Sequence, residues 1–195
     1  MDESSPAEGQ ERGGKRARTR KALITAAAGV IGEKGYDRTT LEEVAARARM
    51  SRGAIYGNFK DKEELFLAVV ERLWQPIVPQ IEEGASLRRQ LQLLGKAVAA
   101  AAKERLPHAG AACAFQLYAV THREMRERMT IENAAIYKAF ARELKKRVPP
   151  SELPMPAEQL VKVLDALQTG LLFTYFQTPT LFTDAVFVAA FEALA

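Results

Sequence analysis

A short run of side chains between residues 51 and 58 combines hydrogen-bond donors with residues small enough to approach another surface closely. The run contains Ser51, Arg52, Gly53, Tyr56, Gly57 and Asn58. An arginine can donate two parallel hydrogen bonds to a phosphate or to a base edge, and Ser, Tyr and Asn side chains commonly donate to phosphate oxygens. These residue types therefore favour recognition of a polar groove.

The segment 39–62 also predicts the elements that would position this run. Apolar residues recur with helical spacing at Leu41, Val44, Ala45 and Ala48. Thr40 and Glu43 form the pattern of a capping box, which marks where that helix begins. Ile55 and Phe59 give a second short helix an apolar side that can dock on the first. The pattern predicts a helix-turn-helix; the alternative is a helical hairpin with a purely structural role.

The distribution of charge favours the first of these interpretations. Residues 1–11 have a net charge of −4, residues 12–62 carry thirteen Lys and Arg against five Asp and Glu, and residues 63–195 carry fifteen of each. A positive field confined to one module suits a phosphate backbone, because neutralising phosphates releases condensed counterions. The sequence contains no long apolar span that would favour a membrane instead.

The segment from Arg20 to Leu67 resembles the DNA-binding region of the TetR family of bacterial transcriptional regulators. The resemblance rests on TTLEEVAARA, SRGAIY and NFKDKEELF. RGAIYGNFKDKEELF is most similar to AcrR-like repressors of multidrug efflux pumps. Two positions depart from the family pattern. Arg49 stands where a glycine usually makes the tight turn, and a left-handed conformation there costs a non-glycine residue roughly 1 kcal/mol. Gly57 replaces a larger side chain.

The resemblance implies a role in DNA binding for several positions. Thr40 and Lys62 are expected to meet phosphates, Arg52 a guanine, and Ala54 a thymine methyl group. The basic residues before the first helix predict an arm that contacts DNA, with a solvated tail as the alternative. The predicted DNA-binding residues are Arg18, Arg20, Thr40, Ser51, Arg52, Gly53, Ala54, Tyr56, Gly57, Asn58 and Lys62.

Composition predicts an all-α fold, since Ala, Leu, Glu, Lys and Arg dominate and β-branched runs with a period of two are absent. The family resemblance implies an N-terminal three-helix helix-turn-helix domain followed by a helical ligand-binding and dimerisation domain, with about nine helices in all. We expect a disordered tail over residues 1–14, the DNA-binding domain over 15–62 and the second domain over 63–195.

The last two predicted helices are apolar on more than one side, which predicts that they bury a second face against another copy of the chain. The family resemblance also implies a homodimer. The alternative is that these side chains all lie in the internal core. The predicted interface residues are Leu172, Phe173, Phe176, Phe182, Val186, Phe187 and Phe191.

The resemblance implies a ligand pocket among the middle helices. Polar residues that interrupt apolar helix faces, with aromatic and flexible neighbours, favour a hydrophobic or aromatic small molecule. Each of them could also be an ordinary core or surface residue. The candidate ligand-binding residues are Trp74, Phe115, Gln116, Tyr118, His122, Met129, Asn133, Tyr137, Leu164, Gln168 and Tyr175.

No motif typical of a catalytic or metal site is present, so the sequence predicts neither an enzyme nor a cofactor or metal. Cys113 is the single cysteine; its apolar neighbours favour core packing over a thiol sensor. The leading hypothesis is a cytoplasmic, homodimeric repressor that binds a palindromic operator and is released by a small ligand. The alternative is a regulator of the same fold that activates transcription or responds to a thiol or a protein.

Overall fold

The computed structural model describes residues 6–80 and 82–195, with side chains from residue 14 onward apart from residue 81. In these ranges the regular elements are all helical, which confirms the predicted all-α fold. None of these helices is both long and apolar enough to cross a bilayer. The α-helices are α1 (Pro6–Lys34), α2 (Leu41–Arg47), α3 (Arg52–Tyr56), α4 (Lys62–Leu73), α5 (Leu87–Arg105), α6 (Ala109–Thr121), α7 (Arg123–Arg147), α8 (Ala157–Gln177) and α9 (Asp184–Glu192).

The described chain divides into two compact units. The first contains the residues up to Gln75 together with Gly110–Tyr118, and the second contains Pro76–Ala109 and Ala119–Ala195. Helix α4 and most of α6 therefore group with the helix-turn-helix, whereas we predicted that the second domain would begin at residue 63.

Helix α1 begins earlier than the sequence suggested. Its first residue is Pro6, so residues 6–14 are helical where we predicted a disordered tail. Proline suits the first helical position, because its missing N–H has no partner there in any case and its φ is already helical. The part of the predicted tail formed by residues 1–5 lies outside the described residues.

The core of the first unit is built from one apolar side of each of its helices. Ile31 of α1, Val44 of α2 and Ile55 of α3 are all 1% exposed or less. An aromatic cluster extends this core, since the ring of Tyr36 stacks on Phe66 with 4.5 Å between centroids. This packing gives the short helices α2 and α3 the support that their own backbone hydrogen bonds cannot provide.

The core of the second unit forms where α5 meets α8 and α9. Leu172, Phe187 and Phe191 lie inside it, each 1% exposed or less. Our prediction that these three residues form a dimer interface is therefore wrong, because a fully buried side chain has no surface to offer a second copy. Phe173, Phe176 and Phe182 are partly buried, and Val186 is exposed.

Helices α5 and α9 cross closely at Gly95. A Cβ atom added to Gly95 would lie 2.8 Å from Val188 Cα and 3.1 Å from Phe187 O. Both of these atoms belong to the backbone of α9, so no side-chain rotation can relieve the clash.

We therefore expect Gly95→Ala to lower the free energy of unfolding by about 1–3 kcal/mol, because overpacking outweighs the better helix propensity of alanine. Urea unfolding followed by circular dichroism measures this change. Gly14→Ala is the matched control, since a Cβ added to this glycine of α1 meets no atom within 4 Å. A Gly95→Ala variant as stable as the wild-type protein would contradict the close crossing.

Candidate nucleic-acid interface

The turn between α2 and α3 places Arg49 in the left-handed conformation, at the position where the family resemblance implied a tight turn. Arg49 has a φ of 55°, the only positive φ of a non-glycine residue in the described chain. Met50 N donates to Ala45 O at 2.9 Å, and Arg49 N donates to Ala46 O at 3.0 Å. These two hydrogen bonds form a Schellman motif, in which the residue after the C-cap is normally glycine. The turn therefore survives with arginine in a conformation that favours glycine.

Helix α3 presents the predicted residues on one exposed face. Ser51 caps it, since the Ser51 hydroxyl accepts a hydrogen bond from Ala54 N at 3.2 Å. Ile55 and Phe59, which we predicted as core residues, are buried on the opposite side. Ser51, Arg52, Gly53, Tyr56 and Gly57 are exposed, and Ala54 and Asn58 are partly buried.

The start of α2 carries the predicted capping box. Glu43 N donates to the Thr40 hydroxyl oxygen at 3.3 Å, and Thr40 N donates to Glu43 Oε2 at 3.1 Å. Because this reciprocal pair fixes the first turn of α2, Thr40 is held at an exposed position.

Arg20, which we predicted to contact DNA, makes contacts within the first unit while its side chain stays 39% exposed. Its Nη1 donates to Asn58 O at 3.1 Å, and its guanidinium carbon lies 4.3 Å from the centroid of the Phe59 ring. A cationic donor at the C-terminal end of a helix satisfies free carbonyls and complements the helix dipole. Arg20 therefore anchors the end of α3 to α1.

Lys62 also donates within the unit. Its Nζ lies 3.2 Å from the carbonyl oxygens of both Tyr36 and Asp37, and 4.3 Å from the centroid of the Tyr36 ring. Burial raises the pKa of the Tyr36 hydroxyl to about 12, so this ring stays neutral. Lys62 ties α4 to the end of α1, and its charge remains close to the surface.

The sequence analysis missed Glu42. Its Oε1 accepts a hydrogen bond from Tyr56 Oη at 3.0 Å and lies 3.1 Å from Arg52 Nη2. A hydrogen bond from its own backbone amide, followed by those from Tyr56 and the charge of Arg52, holds the pKa of the Glu42 carboxyl below its usual range. This contact could not be predicted from the local sequence, because acidic residues are common in the first turn of a helix and Glu42 has no feature that distinguishes it from them.

Arg18 is exposed on α1 and lines an open groove of about 550 Å³ with Lys21 and Arg47. Its neighbours in this groove include Gly29 and Ala48, so part of the lining lacks a bulky side chain. Arg18 therefore lies within α1 and not on an arm before the first helix, and its contact with DNA stays a prediction.

The predicted ligand-binding residues are divided between the two units. Trp74, Phe115, Gln116 and Tyr118 belong to the first unit, and the others to the second. Phe115 and Tyr118 lie in the aromatic cluster around Phe66, with centroids at 5.9 and 5.3 Å. The structure therefore places these two in the core of the first unit, contrary to the predicted pocket.

In the second unit, Tyr175 is part of the hydrophobic core and Leu164 packs against it. Asn133 and Tyr137 line an open groove of about 660 Å³ whose other walls include Lys138 and Lys162. This groove is more polar than the cavity we predicted. Met129 and Gln168 are partly buried, and His122 is exposed.

Tyr137 is held by Asp165, whose Oδ2 accepts its hydroxyl hydrogen bond at 2.7 Å. Burial, and then this hydrogen bond, raises the pKa of Tyr137 to about 12. The hydroxyl therefore stays protonated and acts as a donor.

Cys113 is exposed, so our prediction that it packs in the core is wrong. Its neighbours in the sequence are apolar, but the buried residues of α6 are Ala111, Ala112, Phe115, Tyr118 and Ala119. Within the described residues, His, Cys, Asp and Glu side chains form no cluster of three or more that could hold a metal ion.

The helix-turn-helix matches a known family. The profile of bacterial regulatory proteins of the tetR family matches residues 23–69. This segment is similar to the TetR family. This finding confirms the predicted resemblance for the segment that contains the capping box, the Arg49 turn and α3.

Known relatives resemble the same part of the chain. The transcriptional repressor BepR of Brucella suis is 43% identical over 56 residues, which cover 29% of this chain and 27% of BepR. The transcriptional activator FasR of Mycolicibacterium smegmatis is 39% identical over 72 residues, or 36% of this chain and 33% of FasR. AcrR of Shigella flexneri is 40% identical over 53 residues, covering 27% of this chain and 25% of AcrR. The matched TetR-family region thus spans about a quarter to a third of these relatives.

A solved structure extends the similarity in fold. The repressor MexZ of Pseudomonas aeruginosa has a TM-score of 0.62 at 23% identity, and the alignment covers 91% of this chain and 94% of MexZ. Identity at this level shows a shared fold. The similarity in fold therefore extends to the helices that follow residues 23–69.

The conformation of Arg49 leads to a prediction about stability. A left-handed conformation costs a non-glycine residue about 1–2 kcal/mol. Glycine at this position would remove that cost, but part of the gain is lost because glycine is more flexible in the unfolded chain. We expect Arg49→Gly to raise the free energy of unfolding by about 0.5–1 kcal/mol, measured by urea unfolding. Arg49→Ala removes the same charge but keeps the Cβ atom. If the glycine variant is no more stable than the alanine variant, Arg49 is not strained.

Proposed function

We propose that this chain is a DNA-binding transcriptional regulator, acting as a homodimeric repressor on a palindromic operator. The observation that carries the proposal is the exposed face of α3, which presents Arg52 and Tyr56 on a helix docked by Ile55 and Phe59. The helices that hold this face belong to the TetR-family region. In bacteria the operator lies on the nucleoid, so we place the regulator in the cytoplasm.

The side chains of this face have different roles in the proposal. Arg52 has donors for a bidentate hydrogen bond to guanine, a contact that contributes about 1–3 kcal/mol of discrimination. Gly53 and Ala54 allow the helix to approach the base edges closely. Tyr56 and Thr40 are exposed at positions suited to the phosphate backbone. We also assign Asn58 and Lys62 to the backbone, although their nitrogens donate within the unit, to Ala54 O and to the carbonyl oxygens of Tyr36 and Asp37. Arg18 on α1 extends the basic surface.

A dimer suits a palindromic operator, because its two copies of α3 would lie about 34 Å apart and enter successive major grooves. The outward side of α8 supports this proposal. Val163, Ala166, Gly170 and Thr174 are exposed there at helical spacing, and Gly170 has open space where a Cβ would lie. Small residues allow two helices to pack closely, and Phe173 and Val186 offer additional apolar surface.

We propose that a small hydrophobic or aromatic effector releases the operator. Such an effector must bind the DNA-competent and DNA-incompetent states with different affinity, since equal affinity shifts no equilibrium. The alternative is a regulator of the same fold that activates transcription or responds to a thiol or a protein. Similarity to the activator FasR supports activation, and the exposure of Cys113 supports a response to a thiol signal.

We expect the wild-type protein to bind a palindrome selected from randomised duplexes, with an affinity that falls steeply as salt rises. Arg52→Ala should weaken this binding by about 1–3 kcal/mol and relax sequence preference at one base pair of each half-site. Fluorescence anisotropy at two salt concentrations measures both effects. Arg88→Ala is the control for net charge, because it removes an exposed arginine of the second unit. Unchanged affinity and preference in Arg52→Ala would refute the assigned role of α3.

We expect Ala166→Arg to separate the protein into monomers, because it places a charge in the centre of the proposed α8 interface. Sedimentation equilibrium measures the assembly, and operator affinity should fall in parallel. Ala100→Arg introduces the same side chain at an exposed position of α5. A variant that remains dimeric would show that the copies pair through another surface.

A further inference from the structure

An acidic side chain lies on the surface that we propose meets DNA. Glu42 is in the first turn of α2, and its side chain is 47% exposed. One of its oxygens, Oε1, contacts both Arg52 Nη2 and Tyr56 Oη, at 3.1 and 3.0 Å. A single carboxylate oxygen thus engages the two side chains to which the proposed function assigns a guanine and a phosphate.

These contacts restrict Arg52. Its side chain is 74% exposed and extends from a helix of five residues, so little else limits its rotamers. The ion pair with Glu42, together with a distance of 5.5 Å from the Arg52 guanidinium carbon to the Tyr56 ring centroid, selects one orientation. A guanidinium has five N–H donors, so the pair with Glu42 leaves donors for a bidentate contact with guanine.

The same carboxylate repels phosphates. Its lowered pKa keeps Glu42 ionised at neutral pH. On a non-cognate site, Arg52 has no guanine to meet and gains most by turning toward a phosphate. That movement breaks the pair with Glu42 and leaves a carboxylate facing the DNA backbone, whereas the cognate contact preserves the pair.

We propose that Glu42 is a specificity-determining residue, which directs Arg52 toward the base edge and makes non-specific binding to phosphates less favourable. The inference rests on the proposed function, because it requires a protein that distinguishes an operator from other DNA. It adds a role for a residue of α2 outside the recognition helix.

Glu42→Gln tests this role, because glutamine keeps the length and an acceptor for Tyr56 while removing the charge. We expect its affinity for poly(dA-dT), which presents no O6 and N7 acceptor pair to Arg52, to rise about fivefold, the factor that corresponds to one unit-charge interaction near 4 Å in water. Its salt dependence should become steeper by about one counterion per protomer. Affinity for the palindrome selected by the wild-type protein should rise less, so the ratio of specific to non-specific affinity falls.

Two further variants separate this role from other effects. Glu71→Gln makes the same change in net charge on α4 and should leave the specificity ratio unchanged. In an Arg52→Ala background, Glu42→Gln should also leave the ratio unchanged, because its effect acts through Arg52. A purely structural role of Glu42 predicts the opposite sign for non-specific DNA, since a destabilised helix binds both probes more weakly.

The outcomes distinguish this inference from the proposed function. If the wild-type protein selects no palindrome, the proposed function fails. If the wild-type protein selects one and Glu42→Gln keeps the same specificity ratio, or loses affinity for both probes equally, only the role of Glu42 is overturned.

Discussion

The position of the recognition helix depends on the burial of Ile55 and Phe59. Helix α3 has only five residues, and a helix of that length is unstable in isolation because nucleation costs more than one turn of hydrogen bonds returns. The two buried side chains dock it on the first unit, Ser51 caps its beginning, and Arg20 binds Asn58 O just beyond its end. The hydrophobic contacts on the buried side of α3 therefore determine the positions of the polar groups on its exposed side.

The basic charge of this unit is partly neutralised within its own surface. Arg47 pairs with Glu33, Lys34 with Glu43, and Arg52 with Glu42, and all of these side chains are substantially exposed. Exposed ion pairs add little to stability, typically less than about 1 kcal/mol each. Their consequence is geometric, because they fix which cations point along the surface and which are held against a neighbouring helix. The net charge of a segment thus indicates a nucleic-acid partner without indicating which side chain meets it.

The features that could be predicted from sequence are local ones. The Thr40 capping box and the buried Phe59 follow from spacings of a few residues, and the left-handed Arg49 follows from the family resemblance, in which glycine usually stands at this turn. The errors concern packing between distant segments. The apolar pattern of α8 and α9 showed that more than one face is buried, but Leu172, Phe187 and Phe191 pack within the protomer against α5. The contacts of Phe115, Tyr118 and Glu42 could not be predicted for the same reason, because their partners lie far away in the sequence or on another helix.

Two cations expected at the DNA backbone, Arg20 and Lys62, donate to carbonyl oxygens within the first unit. A cation bound to a carbonyl still carries its full charge, so both continue to contribute to the positive field that attracts phosphates. The hydrogen bonds to carbonyl oxygens occupy some of their donors and fix the direction in which both side chains point. The arrangement separates two requirements of DNA recognition. Cations at the edge of the face supply non-specific attraction and hold α3 in place, while Arg52, restrained only by an exposed carboxylate and a tyrosine ring, keeps its donors for the base.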